Sequence, residues 1–146
     1  MPELILTGPA GRLEARYHHE GSADAPIALI LHPHPQFGGT MNNQIVYALY
    51  YAFVERGFST LRFNFRGVGL SAGTFVEGAG EKDDFRSAIA FAADRFPGLP
   101  IWAAGMSFGS WIALTVGAED PRVTLLIAIA PPVDRYAYDA LKTCTK

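Results

Sequence analysis

Apolar runs of strand length alternate along this chain with stretches of helical period. Ile27-Ala28-Leu29-Ile30-Leu31 is continuously apolar, the pattern of a strand covered on both faces. Leu4-Ile5-Leu6 and Leu13-Glu14-Ala15-Arg16-Tyr17 flank a Gly8-Pro9-Ala10-Gly11 turn and predict an opening hairpin. A helix is predicted from Asn42-Asn43, with Ile45, Leu49 and Phe53 at fourfold spacing, Val46, Tyr50 and Val54 beside them, and Gly57 as its stop. Ser59 to Phe65 alternates as a strand and ends at Arg66-Gly67. Asp83-Asp84 is expected to open the next helix, whose apolar stripe is Phe85, Ile89, Ala92 and Phe96. Pro100 to Ala104 reads as a buried strand, Ser110 to Val116 as a helix ending at Glu119-Asp120-Pro121, and Val123 to Ala130 as the last strand. A hairpin followed by repeated strand–helix pairs predicts a single α/β domain over residues 1–146, with a mostly parallel sheet and helices on both faces.

Composition narrows the function classes. The 146 residues are 49% hydrophobic and 18% charged, enough apolar content for a globular core. A net charge of −2 makes no electrostatic case for nucleic acid or an anionic membrane surface as partner. Apolar runs such as Leu125 to Ala130 are far below membrane-spanning length. Met1-Pro2-Glu3-Leu4 carries no basic start of the kind that precedes a signal peptide. A lone cysteine, Cys144, forms no internal disulfide, and a reducing cytoplasm is the expected location.

Candidate chemistry sits where the predicted strands end. Ligands in parallel sheets gather at the carboxyl ends of the strands. Three loops fall there: His32 to Gly39, Arg66 to Ser71, and Gly105-Met106-Ser107-Phe108-Gly109. The last places G-x-S-x-G between a strand and a helix, the context of a nucleophile elbow. Glycines on either side of Ser107 allow a turn too tight for side chains, and the serine stands at the positive end of the following helix. His32 and His34 stand at the alternate spacing of a metal pair, but no third ligand follows at suitable spacing, so no metal is expected. Gly67-Val68-Gly69 lacks the third glycine of a dinucleotide fingerprint. Arg66 fits a loop brace better than an anion site. Phe37, Phe108 and Trp111 are candidates to line an acyl pocket, Trp111 equally a core residue.

With H-P-H-P-x-x-G-G at His32–Gly39, N-F-R-G-V-G-x-S at Asn64–Ser71 and G-x-S-F-G at Gly105–Gly109, the chain resembles an α/β hydrolase. Within that superfamily it is similar to the small bacterial hydrolases without a lid, from about residue 4 to its end. The resemblance implies a serine nucleophile, Ser107, a small-molecule ester or other acyl substrate, and no cofactor. It also implies an oxyanion hole made by the amide after the nucleophile and one from the loop after the third strand. The first donor maps to Phe108. For the second, Pro33 and Pro35 have no N–H, leaving His34, Gln36 or Phe37, with His34 where the family pattern places its donor.

The same pattern orders the catalytic groups as serine, then acid, then histidine. All four histidines, His18, His19, His32 and His34, precede Ser107. The chain thus reads as about the first two-thirds of such a hydrolase, lacking its last two strands. Asp134 stands where some hydrolases carry the acid and is the candidate substitute acid, although a solvated loop carboxylate is the plainer reading. His18 and His19 are expected at the wrong end of the sheet. His32 and His34 lie on the correct rim, where packing within the loop competes with a role as base. Loss of the histidine base costs about a million-fold in kcat in the best-studied serine hydrolase, leaving roughly 10³–10⁴ over water. The expectation is a chain with nucleophile and oxyanion donors that is nearly inactive alone. The alternatives are a hydrolase-like binding module without turnover and a fragment without independent function. An uncovered last strand is further expected to invite self-association through Val123–Ala130.

Overall fold

The computed structural model describes residues 3–22 and 24–146; Met1, Pro2 and Ala23 lie outside the described residues, and with them the first half of the Met1–Leu4 start. Nine regular elements follow one another as β1 (Glu3–Gly8), β2 (Gly11–His18), β3 (Ile27–Leu31), α1 (Gln44–Glu55), β4 (Ser59–Phe63), α2 (Ala79–Arg95), β5 (Ile101–Met106), α3 (Phe108–Glu119) and β6 (Val123–Ile129), with short 3₁₀ turns at Pro35–Phe37 and Asp139–Leu141. The six strands form one sheet in the order β1-β2-β4-β3-β5-β6. β1 and β2 run antiparallel, as do β2 and β4, while β4, β3, β5 and β6 are parallel. The fold is therefore α/β, with both antiparallel pairings made by β2.

The period of two along β3 divides the core between the two faces. Ile27, Leu29 and Leu31 join Phe85, Ile89 and Ala92 of α2 and Ile112, Ala113 and Val116 of α3. Ala28 and Ile30 point the other way and meet Val46 and Phe53 of α1. Helices thus cover both faces, and every residue of β3 is buried. Each large apolar side chain so buried contributes about 1.5–3 kcal/mol relative to exposure.

Two helices differ from the sequence expectation. The buried stripe of α1 is Val46, Tyr50 and Phe53, whereas Ile45 is 39% exposed. Packing against Ala28 and Ile30 selects that face, while the Asn43 side-chain oxygen caps the helix, accepting the amides of Ile45 at 2.9 Å and Val46 at 3.3 Å. The second helix starts at Ala79, a turn before Asp83-Asp84. Glu81 is its opening carboxylate, fully buried and accepting the Gly78 amide at 2.9 Å and the Val76 amide at 3.1 Å. Asp84 is free for another task, described below. Among the described residues no helix is long and apolar enough to cross a membrane.

β2 runs against the rest of the sheet, so His18 pairs with Thr60 at the start of β4. His18 and His19 therefore lie at the end of the sheet opposite Ser107.

Candidate active site

Ser107 occupies the turn between β5 and α3 with φ 53° and ψ −119°. A non-glycine residue held there stores about 1–3 kcal/mol of strain, so the surroundings must impose it. The Ser107 amide donates to the Ile129 carbonyl at 2.8 Å, and its own carbonyl accepts the amides of Ser110 and Trp111 at 2.9 and 3.2 Å. The Ser110 hydroxyl adds a third bond to that carbonyl at 2.6 Å. Both flanking glycines are required by close backbone approach. A Cβ on Gly105 would lie 2.6 Å from the Ser110 nitrogen, and one on Gly109 would lie 2.6 Å from the Leu31 carbonyl oxygen. The Ser107 hydroxyl makes no hydrogen bond among the described residues.

A cleft of about 80 Å³ opens at Ser107, lined by His34, Phe37, Phe108, Pro132, Arg135 and Tyr136. That is well under the roughly 300–1,000 Å³ of a pocket for a drug-sized ligand. It brings together Ser107, Phe108 and His34. Asp134 is exposed and is not among the lining residues. Of the aromatic residues weighed for an acyl pocket, Phe37 is 76% exposed at the cleft, the Phe108 ring is buried, and Trp111 belongs to the core. Pro132, Arg135 and Tyr136 were not picked out from sequence. They reach the cleft because the segment after β6 folds back over α3, where Tyr136 stacks on Trp111 at 3.9 Å and 8°. The Trp111 indole N–H donates to the Ala137 carbonyl at 3.2 Å.

The amides near Ser107 divide into engaged and unengaged. As the first residue of α3, Phe108 has no intrahelical acceptor for its N–H. In the His32–Gly39 loop, the Gln36 amide donates to His34 Nδ1 at 3.1 Å. The amides of Phe37 and Gly39 both donate to the His34 carbonyl, at 3.1 and 3.0 Å. The His34 amide donates to no acceptor among the described residues.

The two rim histidines are both committed. His32 is fully buried. Its Nδ1 lies 2.7 Å from the Pro33 carbonyl and its Nε2 accepts the Phe65 amide at 3.0 Å, which fixes a neutral ring protonated at Nδ1. Burial pushes its pKa down to about 4. The His34 ring packs against Phe37, Phe75 and Phe108, with centroids 4.6, 4.9 and 5.2 Å away. Partial burial, reinforced by the Arg135 charge, lowers its pKa as well. Because His34 Nδ1 accepts from Gln36, a neutral ring carries its proton on Nε2, and its one basic nitrogen, Nδ1, is already engaged within the loop.

The Asn64–Ser71 loop is a brace. Arg66 meets the fully buried Asp84 through Nη2 at 2.8 Å and Nε at 3.1 Å, and its backbone amide also donates to Asp84 at 2.9 Å. Asn64 accepts the Met41 amide at 2.8 Å and donates to Glu14 at 2.9 Å. Glu14 also accepts the Leu70 amide at 2.9 Å, and the Ser71 hydroxyl donates to the Asn64 carbonyl at 2.8 Å. Asp84 lies 18 residues from Arg66 and Glu14 50 from Asn64, separations at which sequence carries no pairing signal.

Comparison with known proteins places this geometry in a family. The Hydrolase_4 family, described as serine aminopeptidase, S33, matches residues 37–145. An uncharacterized protein of Rickettsia prowazekii, RP471, is 42% identical over 99% of this chain and 62% of its own length. The crystal structure of ATU1826 from Agrobacterium tumefaciens, a protein of unknown function and candidate α/β hydrolase, superposes with a TM-score of 0.94 at 51% identity, over 98% of this chain and 66% of that one. XC6422 from Xanthomonas campestris, described as an α/β serine hydrolase without lid, gives 0.86 at 36% identity, over 94% and 64%. The chain thus spans a little under two thirds of the length of these relatives. It belongs to the Hydrolase_4, serine aminopeptidase S33, family of α/β hydrolases.

Proposed function

We propose that this chain carries the nucleophile and the charge-receiving amides of a serine hydrolase acting on ester or related acyl bonds. Ser107 Oγ attacks the carbonyl carbon, and the N–H groups of Phe108 and His34 receive the charge that develops on the carbonyl oxygen. Collapse of that adduct breaks the bond to the leaving oxygen and leaves an acyl group on Ser107; water then releases the acid. The observation that carries this reading is one cleft where an unengaged hydroxyl on a strained turn meets two residues with unengaged amides.

The reading assigns no base to this chain. Both nitrogens of His32 are occupied, and His34 presents a protonated Nε2. On this reading none of the four histidines serves Ser107 as general base, and the chain alone is expected to turn over very slowly. Hydrolysis of p-nitrophenyl acetate tests both halves. Weak hydrolysis, at most about 10³–10⁴ over water and lost in Ser107→Ala, is the expected result. Rapid turnover lost in Ser107→Ala would refute the missing base; identical rates for the two proteins would refute the nucleophile.

A further inference from the structure

We infer that His32 is a positioning residue whose ring fixes the orientation of the peptide that presents the His34 amide. The inference rests on the proposed role of that amide. The bond that matters joins His32 Nδ1 to the Pro33 carbonyl at 2.7 Å. That carbonyl and the His34 N–H belong to one peptide unit, and no cis peptide occurs among the described residues. In a trans peptide the C=O and N–H point to opposite sides of the chain. Holding the carbonyl against a fully buried ring therefore directs the N–H away from the core, and this is the amide left without an acceptor.

The ring is itself anchored. His32 Nε2 accepts the Phe65 amide at 3.0 Å, and its edge packs on the Phe65 ring at 4.7 Å and 68°. The backbone at His32 also touches the elbow, since a Cβ on Gly109 would strike the His32 carbonyl. A Cβ on Gly39 would lie 2.5 Å from the Pro33 carbonyl carbon, so the loop closes tightly around this same peptide. Loop, strand end and elbow thus meet at His32.

Two substitutions separate positioning from mere support. In His32→Asn the amide nitrogen stands near the place of Nδ1 and keeps the bond to Pro33. In His32→Gln the side-chain oxygen stands near Nε2 and keeps only the bond to Phe65. Phenylboronic acid, which forms a tetrahedral adduct with a serine hydroxyl, is titrated into each protein and followed by ¹⁵N–¹H spectra, alongside thermal midpoints. The Asn variant is expected to bind within about twofold of the parent and the Gln variant at least about tenfold more weakly, whichever of the two melts lower. Equal affinities in both variants, or losses that simply follow the midpoints, would overturn the inference while leaving the nucleophile in place. No boronate binding by the parent, or binding unchanged in Ser107→Ala, would overturn the underlying reading and the inference with it. The imidazole ¹⁵N spectrum of the parent needs no variant: a proton on Nδ1 is expected, and one on Nε2 refutes the strut.

Discussion

Truncating Asp84 to alanine should be among the most damaging single changes in this chain. Its carboxylate is fully buried and accepts three donors of Arg66, the backbone amide at 2.9 Å, Nε at 3.1 Å and Nη2 at 2.8 Å. The Arg66 side chain is itself only 12% exposed. Asp84→Ala leaves a guanidinium and an amide without their acceptor in a place water hardly reaches. Removing one partner of a buried pair costs about 3–5 kcal/mol, a large share of a typical domain's stability. At about 2–4 °C per kcal/mol for a chain of this size, the melting midpoint should fall by roughly 10 °C. Urea unfolding followed by circular dichroism measures the change, and an unchanged slope confirms that only stability has moved. The double substitution Arg66→Met/Asp84→Leu should recover the part of the loss that comes from the uncompensated guanidinium, because an apolar pair needs no charge compensation, but not the part due to the Arg66 amide, which still lacks its acceptor. A cost below about 1 kcal/mol for Asp84→Ala, or a double variant less stable than the single, would refute the reasoning.

Alanine at Gly105 or Gly109 should cost about 3 kcal/mol or more, because the new Cβ meets backbone atoms at 2.6 Å that no rotamer change can move; a melting midpoint within 2 °C of the parent, roughly 1 kcal/mol, would contradict it. His32 predicts acid sensitivity. With its folded pKa lowered from 6.5 to about 4, the unfolded chain binds the extra proton first as pH falls. The stabilising difference is whole above about pH 6.5 and is lost progressively toward pH 4, amounting to about 3 kcal/mol. His32→Gln should flatten that part of the stability profile; an equally steep profile in the variant would count against it. No described strand pairs with the outer side of β6, where Thr124 and Ala128 are exposed. Concentration-dependent association in light scattering is therefore expected, with Ala128→Lys shifting it toward monomer; a parent that stays monomeric at high concentration would rule it out.

Elements whose cause is local were readable in the sequence. The Gly105–Gly109 turn follows from adjacent residues, and so do the Asn43 cap and the buried run of β3. Contacts that depend on distant residues were not. The start of α2 was misplaced because Asp83-Asp84 resembles a helix opening, while the carboxylate that performs that task is Glu81 and Asp84 turns inward to Arg66. Along α1 the apolar side chains occupy more than one face, so the sequence named Ile45 and Leu49 beside Val46, Tyr50 and Phe53, and only the packing against Ala28 and Ile30 selects the last three. At the cleft, Ser107, Phe108 and His34 could be named from motifs. Sequence left three candidate amides in the loop, and their differing hydrogen bonds separate them only in three dimensions. Arg135 and Tyr136 reach the cleft through a chain reversal that no pattern of apolar and polar positions announces.

The face-to-face pairing of Trp111 with Tyr136 gives the protein a built-in optical reporter. Of its two tryptophans, Trp102 is half-buried and packs against Phe53 and Phe58 on the α1 side of the sheet. Trp111 lies under Tyr136, a residue of the cleft wall, and beside the Lys82 ammonium at 4.7 Å. Its emission is tied to whether the 131–138 segment stays closed over α3. With Trp102 replaced by phenylalanine, fluorescence would follow that closure in solution without any attached dye.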